Sequence, residues 1–195
     1  MTSFTDKSYW LTTRPYASCA PLSDHRDVDV AIIGGGFTGL ATAHFLSRAQ
    51  PGLRIAIVEA QVIGYGASGR NAGFSMTKIG MMHSMTRLRF GSQRTIEAHE
   101  YADRAVSLLR SLVQGEQLDC DYQHVGFLWV ATSPKFAQRQ QAELDLIHRL
   151  GISGIEAIDA AALAGRVHSP LYVGGAWWEP NCGILNPAKL AWAWR

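Results

Sequence analysis

Three glycines and one carboxylate carry most of the chemistry legible in this chain. In "DVAIIGGGFTGLATAHFL" (residues 29 to 46), Gly34, Gly36 and Gly39 follow the β-branched run Val28, Val30, Ile32 and Ile33 and open a helical pattern. Each glycine answers a different need. Gly34 permits a sharp turn out of a strand, Gly36 leaves no Cβ between the backbone and a pyrophosphate, and Gly39 lets the new helix lie close against the strand. The N–H groups of the helix start, at Phe37 and Thr38, then offer donors and partial positive charge to an anion. Glu59, followed by Ala60, ends a second apolar run, "LRIAIVE", about 20 residues further on. A carboxylate at that place can accept hydrogen bonds from both ribose hydroxyls and disfavours a 2′-phosphate. Strand, turn, helix, strand and terminal acid in this order describe a site for the ADP half of a dinucleotide, with a purely structural glycine turn as the competing reading.

A second segment, "GYGASGRNAGF" (residues 64 to 74), comes directly after Glu59. Its small residues, Gly66 and Gly73 among them, allow the backbone to run along a flat ligand or a pyrophosphate, while Ser68, Arg70 and Asn71 add donors. Arg70 reads equally well as a ligand contact and as a solvated loop arginine. Asn71 reads most simply as support for a left-handed turn.

The elements that position these groups follow from pattern. Residues 1–27 are polar, dotted with aromatics and punctuated by Pro15 and Pro21, which predicts an extended arm anchored by Trp10 and Tyr16. Residues 28–90 hold the βαβ unit and the glycine-rich loop. Residues 91–195 change character. An amphipathic helix is expected from Ser92 to Gln114, with Ile96, Ala105, Leu108, Leu109 and Leu112 on its apolar side. "HVGFLWVA" reads as a strand, and the next helix has Ser133 as N-cap, Pro134 at its first position and Gly151 past its end. A short helix is expected after Asp159, a strand in "LYVGGAWWE" and a last helix from Asn186-Pro187. The fold class expected is α/β: a Rossmann-like βαβ unit with part of an α+β domain. With only two strands of parallel-sheet character and a last helix that stops after two turns, the chain reads as cut short.

Composition narrows the function. The 195 residues are 47% hydrophobic, and 18 basic against 16 acidic residues leave a net charge of +2. No basic run suggests nucleic acid or a membrane surface, so small neutral partners fit better. Cys19, Cys120 and Cys182 lack disulfide or zinc spacing, so no metal is expected. The start has no apolar leader and no run is long enough for a span, which predicts a cytoplasmic protein. The histidines at 44, 83, 99, 124, 148 and 168 show no ligand spacing and are assigned no role. Trp177, Trp178, Trp192 and Trp194 are candidates for an aromatic wall for amines, with core packing as the alternative.

At "DVAIIGGGFTGL" and "IGYGASGRNAG" the sequence resembles the FAD-dependent amine and amino-acid oxidoreductases of the D-amino-acid oxidase superfamily, in particular the gamma-glutamylputrescine oxidoreductase-like branch. "LDCDYQHVGFLWVA" and "GILNPAKLAWA" support the likeness. The resemblance implies that the segment Gly34, Gly36, Phe37, Thr38, Gly39 holds the FAD pyrophosphate and that Glu59 and Ala60 meet the adenosine ribose. It implies further that the loop with Gly66, Ser68, Arg70, Asn71 and Gly73 meets the pyrophosphate and isoalloxazine. Some relatives attach FAD through a histidine three positions before the closing glycine. Arg70 stands there, so the FAD implied is non-covalent. The implied reaction takes a hydride from a carbon beside an amine nitrogen to flavin N5. The imine then hydrolyses, with oxygen as the acceptor. The flavin carries that chemistry and no dedicated acid or base is required, so no catalytic residue is assigned. Two alternatives stand beside this reading. One is a non-catalytic remnant or weak nucleotide-binding module. The other is a flavin disulfide reductase, which the absence of a cysteine pair soon after the second strand disfavours.

Overall fold

The structure is a computed structural model that describes residues 4–195. In chain order its elements are β1 (Val30–Ile33), α1 (Phe37–Ala49), β2 (Ile55–Val58), β3 (Phe74–Ser75), α2 (His83–Gly115), β4 (Phe127–Val130), α3 (Pro134–Arg149), β5 (Glu156–Ile158), α4 (Ala160–Arg166), β6 (Ala176–Glu179), β7 (Gly183–Ile184) and α5 (Pro187–Ala193). They divide into two units. The first runs up to Gly73 and regains the chain at Val113–Tyr122 and Leu185–Arg195, while the second comprises Phe74–Leu112 and Gln123–Ile184.

In the first unit β1 and β2 pair in parallel, Val30 opposite Ile55 through Ile33 opposite Val58, with α1 as the crossover. This is the Rossmann-like βαβ arrangement expected of the sequence. The register is pinned at its start by Arg54, whose Nε and Nη2 donate to the Asp29 carboxylate at 3.1 and 2.9 Å. That forked contact holds Asp29 down to a pKa of about 2. Leu11, Leu40, Ile63, Ala188, Ala191 and Trp192 form the core. Asn186 caps α5 by accepting from the Lys189 amide, Pro187 fills the first turn, and the Trp192 indole donates to the Ile63 carbonyl at 2.9 Å.

Two details differ from expectation. The N-terminal arm opens with single 3-10 turns at Phe4–Lys7 and Tyr9–Thr12, the second started by the Ser8 hydroxyl accepting from the Trp10 amide, and carries no helix or strand from there to β1. Trp10 and Tyr16 do pack on the core, but Leu11 is the residue fully buried. The β-branched run is also less buried than its composition predicts. Ile33 is 82% exposed and Val58 40% exposed. With β1 paired only to β2, the outer side of the strand end has no covering layer among the described residues.

The second unit is built on the antiparallel sheet β4–β6–β5, in which Trp129 faces Trp177, and a short antiparallel pair β3–β7. Ser133 caps α3 with Pro134 in its first turn, and Asp159 caps α4. Leu144, Ile147, Ile152, Ile155 and Trp177 form its core. The helix expected from Ser92 starts earlier. A first segment from His83 is broken at Gly91 (φ 83, ψ 170) before the long run to Gly115. Its buried stripe is Thr95, His99, Ala102, Val106 and Val113, whereas Leu108 is 54% exposed. Of the expected apolar side, Ile96 packs on the core and Leu109 and Leu112 are half-buried, while Ala105 and Leu108 are exposed, because two inward positions, Thr95 and His99, are polar and find partners.

Candidate functional site

The turn between β1 and α1 is tied at each residue. Gly34 takes φ +101, a region closed to most side chains, and its N–H donates to the Val58 carbonyl at 2.8 Å. The buried Gly35 N–H donates to Glu59 Oε2 at 2.8 Å, and the Gly35 carbonyl accepts from Gly64 N–H at 2.9 Å. Gly36 is the N-cap of α1 in extended backbone and has no side chain with which to cap it. Ser68 of the second glycine-rich segment supplies the cap instead, its Oγ accepting from the Phe37 amide at 2.9 Å. A Cβ on Gly36 would sit 3.0 Å from that Oγ, and one on Gly39 would sit 2.1 Å from the Gly34 carbonyl oxygen. The first intrahelical bond runs from Leu40 N–H to the Gly36 carbonyl. The amides before it, Thr38 and Gly39 included, lie at the helix start where an anion is favoured.

The two motifs read separately in sequence therefore meet in one place. Glu59 is the joint. Its Oε1 accepts from the Gln61 amide at 2.9 Å while Oε2 holds Gly35. Each carboxylate oxygen keeps a second lone pair, so ribose hydroxyls can still be accepted. Ala60 beside it is exposed. In the loop, Gly66 has open space where a Cβ would project and starts a 3-10 turn, Ala67–Gly69. Asn71 braces that turn, its Nδ2 donating to the Ala67 and Ser68 carbonyls and its Oδ1 accepting from the Gly73 amide at 2.9 Å. Gly73 takes φ +77, and a Cβ there would lie 2.3 Å from the Leu185 carbonyl oxygen. Arg70 is exposed, donates from Nε to the Gly66 carbonyl at 3.2 Å and lies over the Tyr65 ring. The donor set suits a dinucleotide: helix-start amides, no side chain at Gly36 and one half-buried carboxylate.

The second unit contains a buried polar cluster to which the sequence pattern gives no role. His83 Nε2 and His99 Nδ1 are 3.2 Å apart, and His99 Nε2 lies 3.1 Å from the Ser153 carbonyl, to which it must donate. His99 Nδ1 then accepts from His83, leaving His83 Nδ1 as a lone pair 3.7 Å from Glu143. Burial pushes the His83 pKa down to about 4, with His99 adding to the effect and Glu143 opposing it. Glu179 is fully buried beside Thr77, Lys78 and Cys182. The sequence signal was helical spacing: Thr95 and His99, and Gln140, Glu143 and Ile147, all lie on inward stripes.

Trp177 and Trp178 belong to the second unit and Trp192 and Trp194 to the first. Cys120 and Cys182 are likewise divided between the units, and both are buried and free. No helix among the described residues is long and apolar enough to cross a membrane.

Comparison with known proteins assigns the class. The profile of the family described as "FAD dependent oxidoreductase" (DAO) matches residues 29–195, and the chain belongs to that family. It is 30% identical over 191 residues to gamma-glutamylputrescine oxidoreductase of Escherichia coli, covering 98% of this chain and 44% of that protein. Among solved structures it is similar to glycine oxidase from Geobacillus kaustophilus, with 25% identity, a TM-score of 0.61 and coverage of 86% of this chain and 43% of that one. It shares its fold with L-amino acid deaminase from Proteus vulgaris at 19% identity and a TM-score of 0.67, covering 92% and 39% of the two chains. The chain thus spans less than half the length of these relatives.

Proposed function

We propose that this chain is the FAD-holding portion of an oxidoreductase acting on the CH–NH or CH–NH2 group of an amine or amino acid. A gamma-glutamylated polyamine is the substrate class and oxygen the acceptor. The observation that carries the reading is the closed turn. Glu59 Oε2 bonds the Gly35 amide while Ser68 bonds the Phe37 amide, so both glycine-rich segments and the acid at the end of β2 converge on one helix start. The likeness to gamma-glutamylputrescine oxidoreductase supports the substrate class.

FAD, when bound, supplies the two-electron acceptor that side chains lack. The chain's part is binding and orientation. Gly34, Gly36 and Gly39, with the amides of Phe37 and Thr38, would hold the pyrophosphate; Glu59 and Ala60 would meet the ribose; Gly66, Ser68, Arg70, Asn71 and Gly73 would run along the pyrophosphate and ring. The internal bonds of Asn71 fix that loop before any ligand arrives, which lowers the ordering cost of binding. A cytoplasmic location belongs to the same proposal.

The test is anaerobic addition of gamma-glutamylputrescine to the FAD-loaded protein. Bleaching of the flavin absorption, faster than with glycine, is the expected result. An unchanged spectrum with every amine and amino acid tried would overturn the reading.

A further inference from the structure

Inside the second unit a primary ammonium is already caged, and it is the chain's own. Lys78 Nζ lies 4.2 Å from the ring centroid of Trp129 and 4.1 Å from that of Trp177, with the Phe127 ring at 5.7 Å. Glu179 Oε1 completes the surround at 3.7 Å. Glu179 and Trp177 are wholly buried, and the Lys78 side chain retains 17% exposure. Two indole faces and a carboxylate attract a compact monocation and offer nothing to an anion.

The cage is not saturated by its occupant. Glu179 Oε2 accepts from the Thr77 hydroxyl and the Cys182 thiol, but Oε1 is buried without a hydrogen bond. At 3.7 Å the Lys78 ammonium stops short of it, held by its own tether. An ammonium on an untethered alkyl chain can come closer. Burial also lowers the Lys78 pKa, against the opposing pull of Glu179 and Glu143. Lys78 itself, though not the residues of its cage, borders a cavity of about 460 Å3 lined also by His83, Phe90, Arg94 and Thr95, a volume within the range of small-molecule sites. The segment carrying it includes exposed Ile79 and Met81 around Gly80.

We propose that the Trp129–Trp177–Glu179 cage is a binding site for the primary alkylammonium group of a ligand, which competes with Lys78 for it and displaces Lys78 toward the cavity. This deepens the amine reading above by naming what recognises the nitrogen. Its test requires neither FAD nor turnover, so the two can fail separately.

Lys78→Ala in the whole chain removes the tenant and leaves Glu179 without a counter-charge. The variant is expected to melt below the wild type, and millimolar butylammonium is expected to restore its melting temperature while perturbing tryptophan emission. Binding should be at least about tenfold tighter than to the wild type, where Lys78 competes. Butanol at the same concentration should not rescue, and K78A/E179Q should not respond to butylammonium. Absence of rescue, or equal rescue by butanol or in the double variant, overturns the proposal. Should K78A not fold, the wild type with 13C-dimethylated lysines decides. The Lys78 methyl signal is expected upfield from the indole ring currents, moving to an unshifted position as butylammonium is added. A signal unshifted from the start, or unmoved at saturation, overturns the proposal equally.

Discussion

Gly39→Ala sets two effects of opposite sign against each other at the centre of the proposed site. In an ordinary helix interior this substitution stabilises by about 1 kcal/mol, because alanine loses less backbone freedom on folding. Here the new Cβ would stand 2.1 Å from the Gly34 carbonyl oxygen and 3.3 Å from Ile32 Cγ2. Carbon–oxygen contacts run at about 3.3–3.6 Å, so α1 and the turn must part by about 1 Å. The obstacle is backbone and cannot rotate away, since the Gly34 amide is bonded to Val58 at 2.8 Å. Overpacking of this kind costs about 1–3 kcal/mol, and with backbone as the obstacle the upper part of that range, about 2–3 kcal/mol, applies, which leaves a net loss of about 1–2 kcal/mol after the propensity gain of about 1 kcal/mol. For a urea m-value of about 2 kcal/mol/M that is a midpoint lower by about 0.5–1 M. Gly165→Ala in α4 is the internal control: nothing lies within 4 Å of its Cβ position, so it should gain about 0.5–1 kcal/mol. Urea unfolding followed by circular dichroism measures both. A G39A midpoint at or above the wild type, with G165A behaving as expected, would refute the close packing of α1 on β1.

Three further outcomes follow from the geometry. Glu59→Ala leaves the buried Gly35 amide without its acceptor and should cost about 1–3 kcal/mol in urea unfolding; an unchanged midpoint would mean that the carboxylate does not bridge the turn. His83, held near 4 in the fold against 6.5 when free, protonates first in the unfolded chain, so its contribution is complete above pH 6.5 and is lost as pH falls toward 4. The loss amounts to about 3 kcal/mol, and urea midpoints across that window should fall less in His83→Gln than in the wild type; equal slopes would contradict the assignment. Burial raises the Cys120 thiol to about 11 and pushes Cys182 up as well, whereas Cys19 is exposed, so a thiol reagent at pH 8 should modify Cys19 alone until urea is added.

The first βαβ unit was legible because its constraints are local. Gly34 must turn, Gly39 must let the helix approach, and the acid must end the next strand, and all three follow from spacing. Helix caps at Ser133, Asp159 and Asn186 were legible for the same reason. What sequence could not supply was non-local. That Ser68 would cap α1 by reaching the Phe37 amide depends on how the loop folds back, and nothing in "ASGRN" states it. The buried face of α2 is only partly legible because Thr95 and His99 occupy inward positions that an apolar count treats as outward. Lys78, Glu179 and Glu143 look like surface charges one at a time. Burial is made tolerable by contacts distant in sequence: Lys78 stands against Glu179, and Glu143 accepts from the Ser84 amide.

Whether the turn at Gly34–Gly39 holds a dinucleotide is decided by the binding of FAD against FMN to the wild-type chain, followed by flavin fluorescence. FMN carries the same ring but lacks the adenosine half that the turn at Gly34–Gly39 and Glu59 would hold. Saturable quenching by FAD is expected at concentrations where FMN leaves the signal unchanged. Equal affinity for the two, or no binding of FAD by folded protein, would contradict the dinucleotide reading.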